Sequence, residues 1–219
     1  MGYLFDSVKF ILFLFFGVFI PGYVIVRRLK LESTALKLFL STALGIVLLT
    51  LAGFINLYFT YGLIAISLFF FFRSLTPSEG IFRVIPKLTL ARLTILVIIV
   101  LGVIFQNGLT FKSGKAYDLG IGYWGPLGHD GVWHQALVNE IVKGVPPDNP
   151  GLSGTTLTNY HYFYDLLVAT TSSLTGIAAP ELIFRFYPIL FSLLLGIGTY
   201  LICRILFNKW YAGAASLFF

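Results

Sequence analysis

Asp130 and His134 stand four residues apart in GHDGVWHQALVNEIVKGVPPDNP, the one long hydrophilic stretch of a 219-residue chain, and His161 and Asp165 repeat the spacing in reverse order. Residues i and i+4 share one face of a helix, so each pair presents a carboxylate and an imidazole together. A carboxylate can take the proton of a hydroxyl or amide, and an imidazole can carry a proton or, once charged, face a phosphate. Two such pairs converging near a membrane surface suit a phosphate ester, a sugar hydroxyl or a divalent cation. Carboxylate and imidazole together do not single out a particular metal. The plainer reading is two local hydrogen-bonded pairs, with Asp130 as an N-cap that stabilises its helix by about 1 kcal/mol. Tyr117, Tyr123, Trp124, Trp133, Tyr160, Tyr162 and Tyr164 crowd the same region. They fit the aromatic belt of a membrane interface, and the same rings suit the apolar faces of sugars.

The helix under Asp130 and His134 is expected over Val132 to Lys143, after a glycine-rich turn at Gly128 to Asp130. Trp133, Leu137 and Ile141 mark one face, and Gln135, Asn139 and Lys143 the wet one. His134 shares its side with Val138 and Val142, an odd place for an imidazole. Gly144 stops the helix, and Pro146, Pro147 and Pro150 keep the following chain extended or turning.

The rest of the chain is hydrocarbon. Apolar types make up 58% of residues and charged types 11%, which leaves too little polar surface for a water-soluble domain. The expected fold class is all-α, a polytopic membrane helical bundle with a large outer loop carrying juxtamembrane helices. A span needs about 20 apolar residues, and Val8 to Val26, Leu38 to Asn56, Tyr58 to Phe72, Leu88 to Phe105 and Leu182 to Cys203 meet or approach that length. Asn56 with Thr60, Tyr61 and Gly62 offers the turn of a hairpin. Residues 1–105 thus read as four transmembrane helices and 106–180 as an extracytoplasmic loop with two interfacial helices. Residues 181–219 read as a fifth span and the start of a sixth, which the sequence stops within.

Charge orients these spans. The net charge is +6, yet Arg27, Arg28, Lys30, Lys37, Arg73, Arg83, Lys87 and Arg92 fall in two short loops, which reports a cytoplasmic side rather than nucleic acid. The 106–180 segment then lies outside, and the expected location is a prokaryotic cytoplasmic membrane. Residues His161 to Gly176 are expected to form a helix lying in or dipping into the outer interface, with His161, Asp165 and Ser172 as a polar stripe. The first apolar stretch has no basic leader or small-residue cleavage site and is read as an anchor. Cys203 sits alone within a span.

Gly120, Gly122 and Gly125 satisfy G-x-G-x-x-G with no preceding strand and Pro126 next, and Gly108 to Lys115 misses the phosphate-loop spacing and its Ser or Thr. Both matches are accidental. The spans carry almost no acids or bases to line an ion path, which argues against a transporter.

The order Asp130, His134, then Lys143-Gly144-Val145-Pro146, then Tyr160-His161-Tyr162 resembles the first outer loop of the GT-C glycosyltransferases, among them protein O-mannosyltransferases, aminoarabinose transferases and oligosaccharyltransferase catalytic subunits. Leu174-Thr175-Gly176 through Arg185 to Arg204-Ile205-Leu206-Phe207 resembles the helix that follows, so the likeness covers roughly residues 95 to 219. The resemblance implies sugar transfer from a polyprenyl-phosphate donor to an acceptor of unspecified identity, with Asp130 as catalytic base. Tyr160, His161, His134, Asp165, Glu140 and Arg185 become substrate-binding candidates, with a divalent cation as a candidate cofactor. Two departures stand out. Three spans precede the one leading into the loop, where the simplest members have one. Gly131 follows Asp130 where many members carry a second acid, a role left to Glu140, to Asp165 or to no residue. A noncatalytic scaffold and a metal-dependent lipid-phosphate hydrolase are the alternative readings.

Overall fold

A computed structural model describes residues 2–31, 33–74 and 89–215. Helix accounts for 75% of it, so the chain is all-α. Three helices are long and apolar enough to cross a membrane: α1 (Gly2–Val26), α2 (Thr34–Ile55) and α7 (Ala179–Phe207). They are compatible with an integral membrane protein. Two shorter apolar helices, α3 (Leu57–Arg73) and α4 (Leu90–Gln106), have 17 residues each, about 25 Å at 1.5 Å per residue. Between α4 and α7 come α5 (Leu127–Lys143) and α6 (Phe163–Thr175), and α8 (Trp210–Ala215) follows α7. Residues 75–88 and 216–219, parts of the second basic loop and of the expected sixth span, lie outside the described residues.

Both long helices that contain an internal proline widen just before it. In α1 the turn Leu14–Phe19 is a π-helix ahead of Pro21, and in α7 the turn Leu182–Phe186 is one ahead of Pro188. A proline has no N–H to give and its ring presses on the carbonyl four residues back, so the preceding turn opens. Where α1 crosses α2 the backbones touch. A Cβ on Gly22 would lie 1.8 Å from the Ser41 carbonyl oxygen, and one on Gly45 would lie 1.9 Å from that of Val18. Small residues at a crossing are how apolar helices gain contact when lipid removes the hydrophobic drive.

The α2–α3 hairpin turns on Asn56 alone, whose side chain accepts from the Phe59 N–H at 2.7 Å. Thr60, Tyr61 and Gly62, expected in the turn, are already helical. A short antiparallel hairpin, β1 (Lys115–Tyr117) with β2 (Gly120–Gly122), leads into α5, and the glycines of the accidental nucleotide motif belong to it and to the turn after it.

Helix α6, expected to lie in or dip into the outer interface, is packed within the bundle. Residues 165–171 are all buried, enclosed by α2 on one side and α5 on the other. Of its polar stripe, Asp165 pairs with His134 and the Ser172 hydroxyl donates to the Ile177 carbonyl at 2.8 Å, while His161, just ahead of the helix, is exposed. Tyr3 of α1 stacks on Phe186 and meets Phe111 edge-on, so the start of α1, the 106–114 segment and the start of α7 share one end of the bundle. All seven described acidic residues belong to that end, and Arg27, Arg28, Lys30, Arg73, Arg92, Arg204 and Lys209 flank helix ends at the other.

Candidate functional site

Helix α5 begins at Leu127, preceded by Pro126, five residues earlier than its periodicity suggests. Asp130 therefore sits inside the first turn and caps nothing. Its carboxylate still complements the positive end of the helix dipole. It accepts from His129 Nδ1 at 3.0 Å, and both side chains are exposed. His129 and Asp130 line an open cleft of about 490 Å3 with Val132, Trp133, Ala136, Pro150, Gly151 and Tyr160. Trp133 meets Tyr160 edge-on at 5.7 Å between ring centres, and His161 stacks on the outer side of Tyr160 at 5.0 Å.

The loop that closes the cleft is braced by its own backbone. Asp148 and Thr156 form a bridge, the Asn149 N–H donates to the Thr155 carbonyl at 2.8 Å, and Asn149 Oδ1 accepts from the Gly151 N–H at 2.9 Å. That turn sets Gly151 against Trp133, where a Cβ would lie 3.6 Å from the indole.

Neither sequence pair forms: Asp130 meets His129, and His134 meets Asp165. His161 precedes α6 and leaves Asp165 to pair with His134 of α5, Nδ1 to Oδ1 at 2.8 Å. Asp165 is 1% exposed and the His134 side chain 31%. The bonded carboxylate of Asp165 outweighs burial and raises the His134 pKa above its ordinary 6.5, with the charge of Asp130 one turn away adding to the rise. The second oxygen of Asp165 is buried with no hydrogen-bond partner, so the carboxylate depends on that one imidazole. Tyr164 packs edge-on to His134. Its phenol is held above the ordinary 10, by burial first and then by the charge of Asp165. The odd imidazole among Val138 and Val142 thus faces α6 and not the cleft.

Arg185, a substrate-binding candidate from the sequence, is 2% exposed and engaged. Its Nε and Nη2 hold both oxygens of Glu181, and its remaining donors reach the carbonyls of Phe111, Ser113 (2.7 Å) and Gly114. A guanidinium has five N–H donors, and all five are taken. Arg185 is a clamp that fixes the 111–114 segment on α7. Glu140 pairs with Lys143 at 2.6 Å, ten positions or about 15 Å along α5 from Asp130.

Gly131 explains the missing second acid. A Cβ there would come within 2.6 Å of the Phe184 ring, so position 131 holds no side chain unless that buried ring shifts. Among the described residues no group of three or more His, Cys, Asp or Glu gathers as a metal site, and the donor set at the cleft does not fit a protein-held cation. Of the candidates, the cleft keeps Asp130 and Tyr160 with His161 behind it; His134, Asp165, Glu140 and Arg185 are bonded elsewhere. His129 and Trp133 join it. The only sequence signal for His129 is adjacency to Asp130, and for Trp133 its place on the apolar face of α5.

Comparison with protein-family models, with curated proteins and with solved structures finds no match.

Proposed function

We propose that the chain is a membrane glycosyltransferase that moves a sugar from a polyprenyl-phosphate-type lipid donor to an acceptor on the outer side of the membrane, with Asp130 as general base. The observation that carries this reading is the cleft, in which one carboxylate and one imidazole share an open volume with the rings of Trp133 and Tyr160. Aromatic faces cover the C–H faces of a sugar, and an exposed carboxylate beside them reaches a hydroxyl or amide hydrogen. The cleft lies at the acidic end of the bundle, and the positive residues at the opposite end favour that end as the cytoplasmic one.

In the proposed step the acceptor oxygen or nitrogen attacks the anomeric carbon while Asp130 takes its proton. The carbon–oxygen bond to phosphate breaks, and polyprenyl phosphate leaves with the bonding pair. Positive charge grows at the anomeric carbon beside the Asp130 carboxylate, and His129 is the group in the cleft suited to the phosphate side. The test is transfer of labelled sugar by the full-length protein in membranes, from a panel of polyprenyl-phosphate donors. Asp130→Asn is expected to lower the rate by about 10²- to 10⁴-fold. Unchanged transfer in that variant overturns the assignment.

A further inference from the structure

At the basic end of the bundle, α2, α4 and α7 enclose a groove of about 360 Å3. Leu38, Phe39, Ile95, Ile99, Leu194 and Ile197 give it apolar walls. Phe39 is seated there because α7 has Gly198 opposite it, where a Cβ would come within 2.9 Å of the ring. Polar groups enter from two helices. Arg92 of α4 and Tyr200 of α7 line the groove, and Arg204 Nη1 lies 3.5 Å from the Tyr200 hydroxyl. The Thr42 hydroxyl on the same wall is spent on the Leu38 carbonyl at 3.0 Å.

We infer that this groove is a binding site for an anionic phospholipid of the surrounding bilayer, its phosphate held between Arg92 and the Tyr200–Arg204 pair and an acyl chain lying along the apolar walls. From Arg92 to Ile99 is two helical turns, about 10 Å, so a phosphate at Arg92 leaves the chain running along Ile95 and Ile99. Guanidinium groups match phosphate oxygens in a two-point fork. Charge selects the headgroup. Among the described residues, Arg27, Arg28, Lys30, Lys37, Arg73, Arg92, Arg204 and Lys209 stand at this end and the acidic residues lie at the far one. A choline or ethanolamine headgroup would bring its own cation against that field, whereas a glycerol headgroup brings none. Basic pockets between transmembrane helices on the cytoplasmic side recognise such lipids for this reason. The site is independent of the sugar-transfer reading and stands or falls without it.

The experiment reconstitutes the full chain in vesicles of equal phosphatidylglycerol and phosphatidylcholine, extracts it in mild detergent, and counts retained lipid by native mass spectrometry. Wild type is expected to retain phosphatidylglycerol at least about fivefold over phosphatidylcholine, and Arg92→Gln to lose about fivefold of that retention. Arg73→Gln, which removes a basic-end charge outside the groove, should leave it unchanged. Ile99→Trp fills the groove while keeping every charge, and should also release the lipid. Equal retention of the two lipids, an equal loss in Arg73→Gln, or unchanged retention in Ile99→Trp overturns the proposal.

Discussion

Replacing Asp165 with asparagine tests the one buried ionic contact that joins α5 to α6. The contact is a 2.8 Å bond from a 31%-exposed imidazole to a carboxylate that is 1% exposed and otherwise unpaired on its second oxygen. Hydrogen bonds to charged groups contribute about 1.5–3 kcal/mol. The part-exposed imidazole places this one nearer about 2 kcal/mol. The folded-state pKa of His134 is raised above 6.5, so the native state binds the proton more tightly than the unfolded chain. This stabilisation is fully present below about 6.5, the unfolded value, and is lost as pH rises through the raised folded value. The amide of the variant can still accept from His134 Nδ1 but no longer favours the imidazolium. Asp165→Asn is therefore expected to lower Tm by about 4–8 °C at pH 6, taking roughly 2–4 °C per kcal/mol for a chain of this size. At pH 9 the loss should be smaller.

The assay is thermal unfolding of the detergent-solubilised protein from pH 5.5 to 9, with the imidazole resonances of its three histidines followed by NMR. His134→Ala should cost more than Asp165→Asn near neutral pH, because it leaves a buried carboxylate unpaired, a situation worth about 3–5 kcal/mol. Combining both changes should recover part of that loss. A wild-type slope with pH that survives in Asp165→Asn, or a His134 that titrates at or below 6.5 in the wild type, would refute the reasoning.

Gly131→Ala is expected to destabilise by about 1–3 kcal/mol through contact with Phe184, and Phe184→Leu in the same chain should relieve part of that, read as a double-mutant cycle in thermal unfolding. Gly45→Ala should cost at least as much, since its obstacle is the Val18 backbone and no side chain can yield; a Tm unchanged within error would contradict the α1–α2 crossing. Arg185→Lys replaces five donors by three and should open the 111–122 segment to proteolysis while α1 and α2 stay protected. Trp133→Ala should raise the KM for the lipid-linked sugar more than it lowers kcat, if the indole binds the sugar equally in ground and transition states.

The long helices are legible in the sequence because lipid imposes a minimum apolar run: Leu38 to Asn56 is expected where Thr34–Ile55 is found, and Leu182 to Cys203 where Ala179–Phe207 is found. The short hairpin is not, since strands of three residues carry no alternation to read. The start of α5 is misplaced because Leu127 and Gly128 look like turn, while Pro126 just ahead of it fixes a backbone angle already close to helical. The His134–Asp165 contact spans 31 positions. Local spacing points each residue to a neighbour four away, and only the packing of α6 against α5 shows which acid meets which imidazole.

Gly131 carries the consequence furthest. Beside Asp130 there is no room for a second acid, Glu140 is about three turns away and paired with Lys143, and Asp165 is committed to His134 behind the helix. Among the described residues, Asp130 is thus the single carboxylate lining the cleft. Retaining glycoside hydrolases work through two carboxyl groups about 5–5.5 Å apart, one as nucleophile and one as acid for the leaving alcohol. A cleft with one carboxylate suits direct displacement, with the leaving phosphate needing no protein acid to depart. With Asp130 as base and direct attack by the acceptor, the product should carry inverted anomeric configuration, and a retained anomer identified by NMR would overturn the assignment of Asp130 as base.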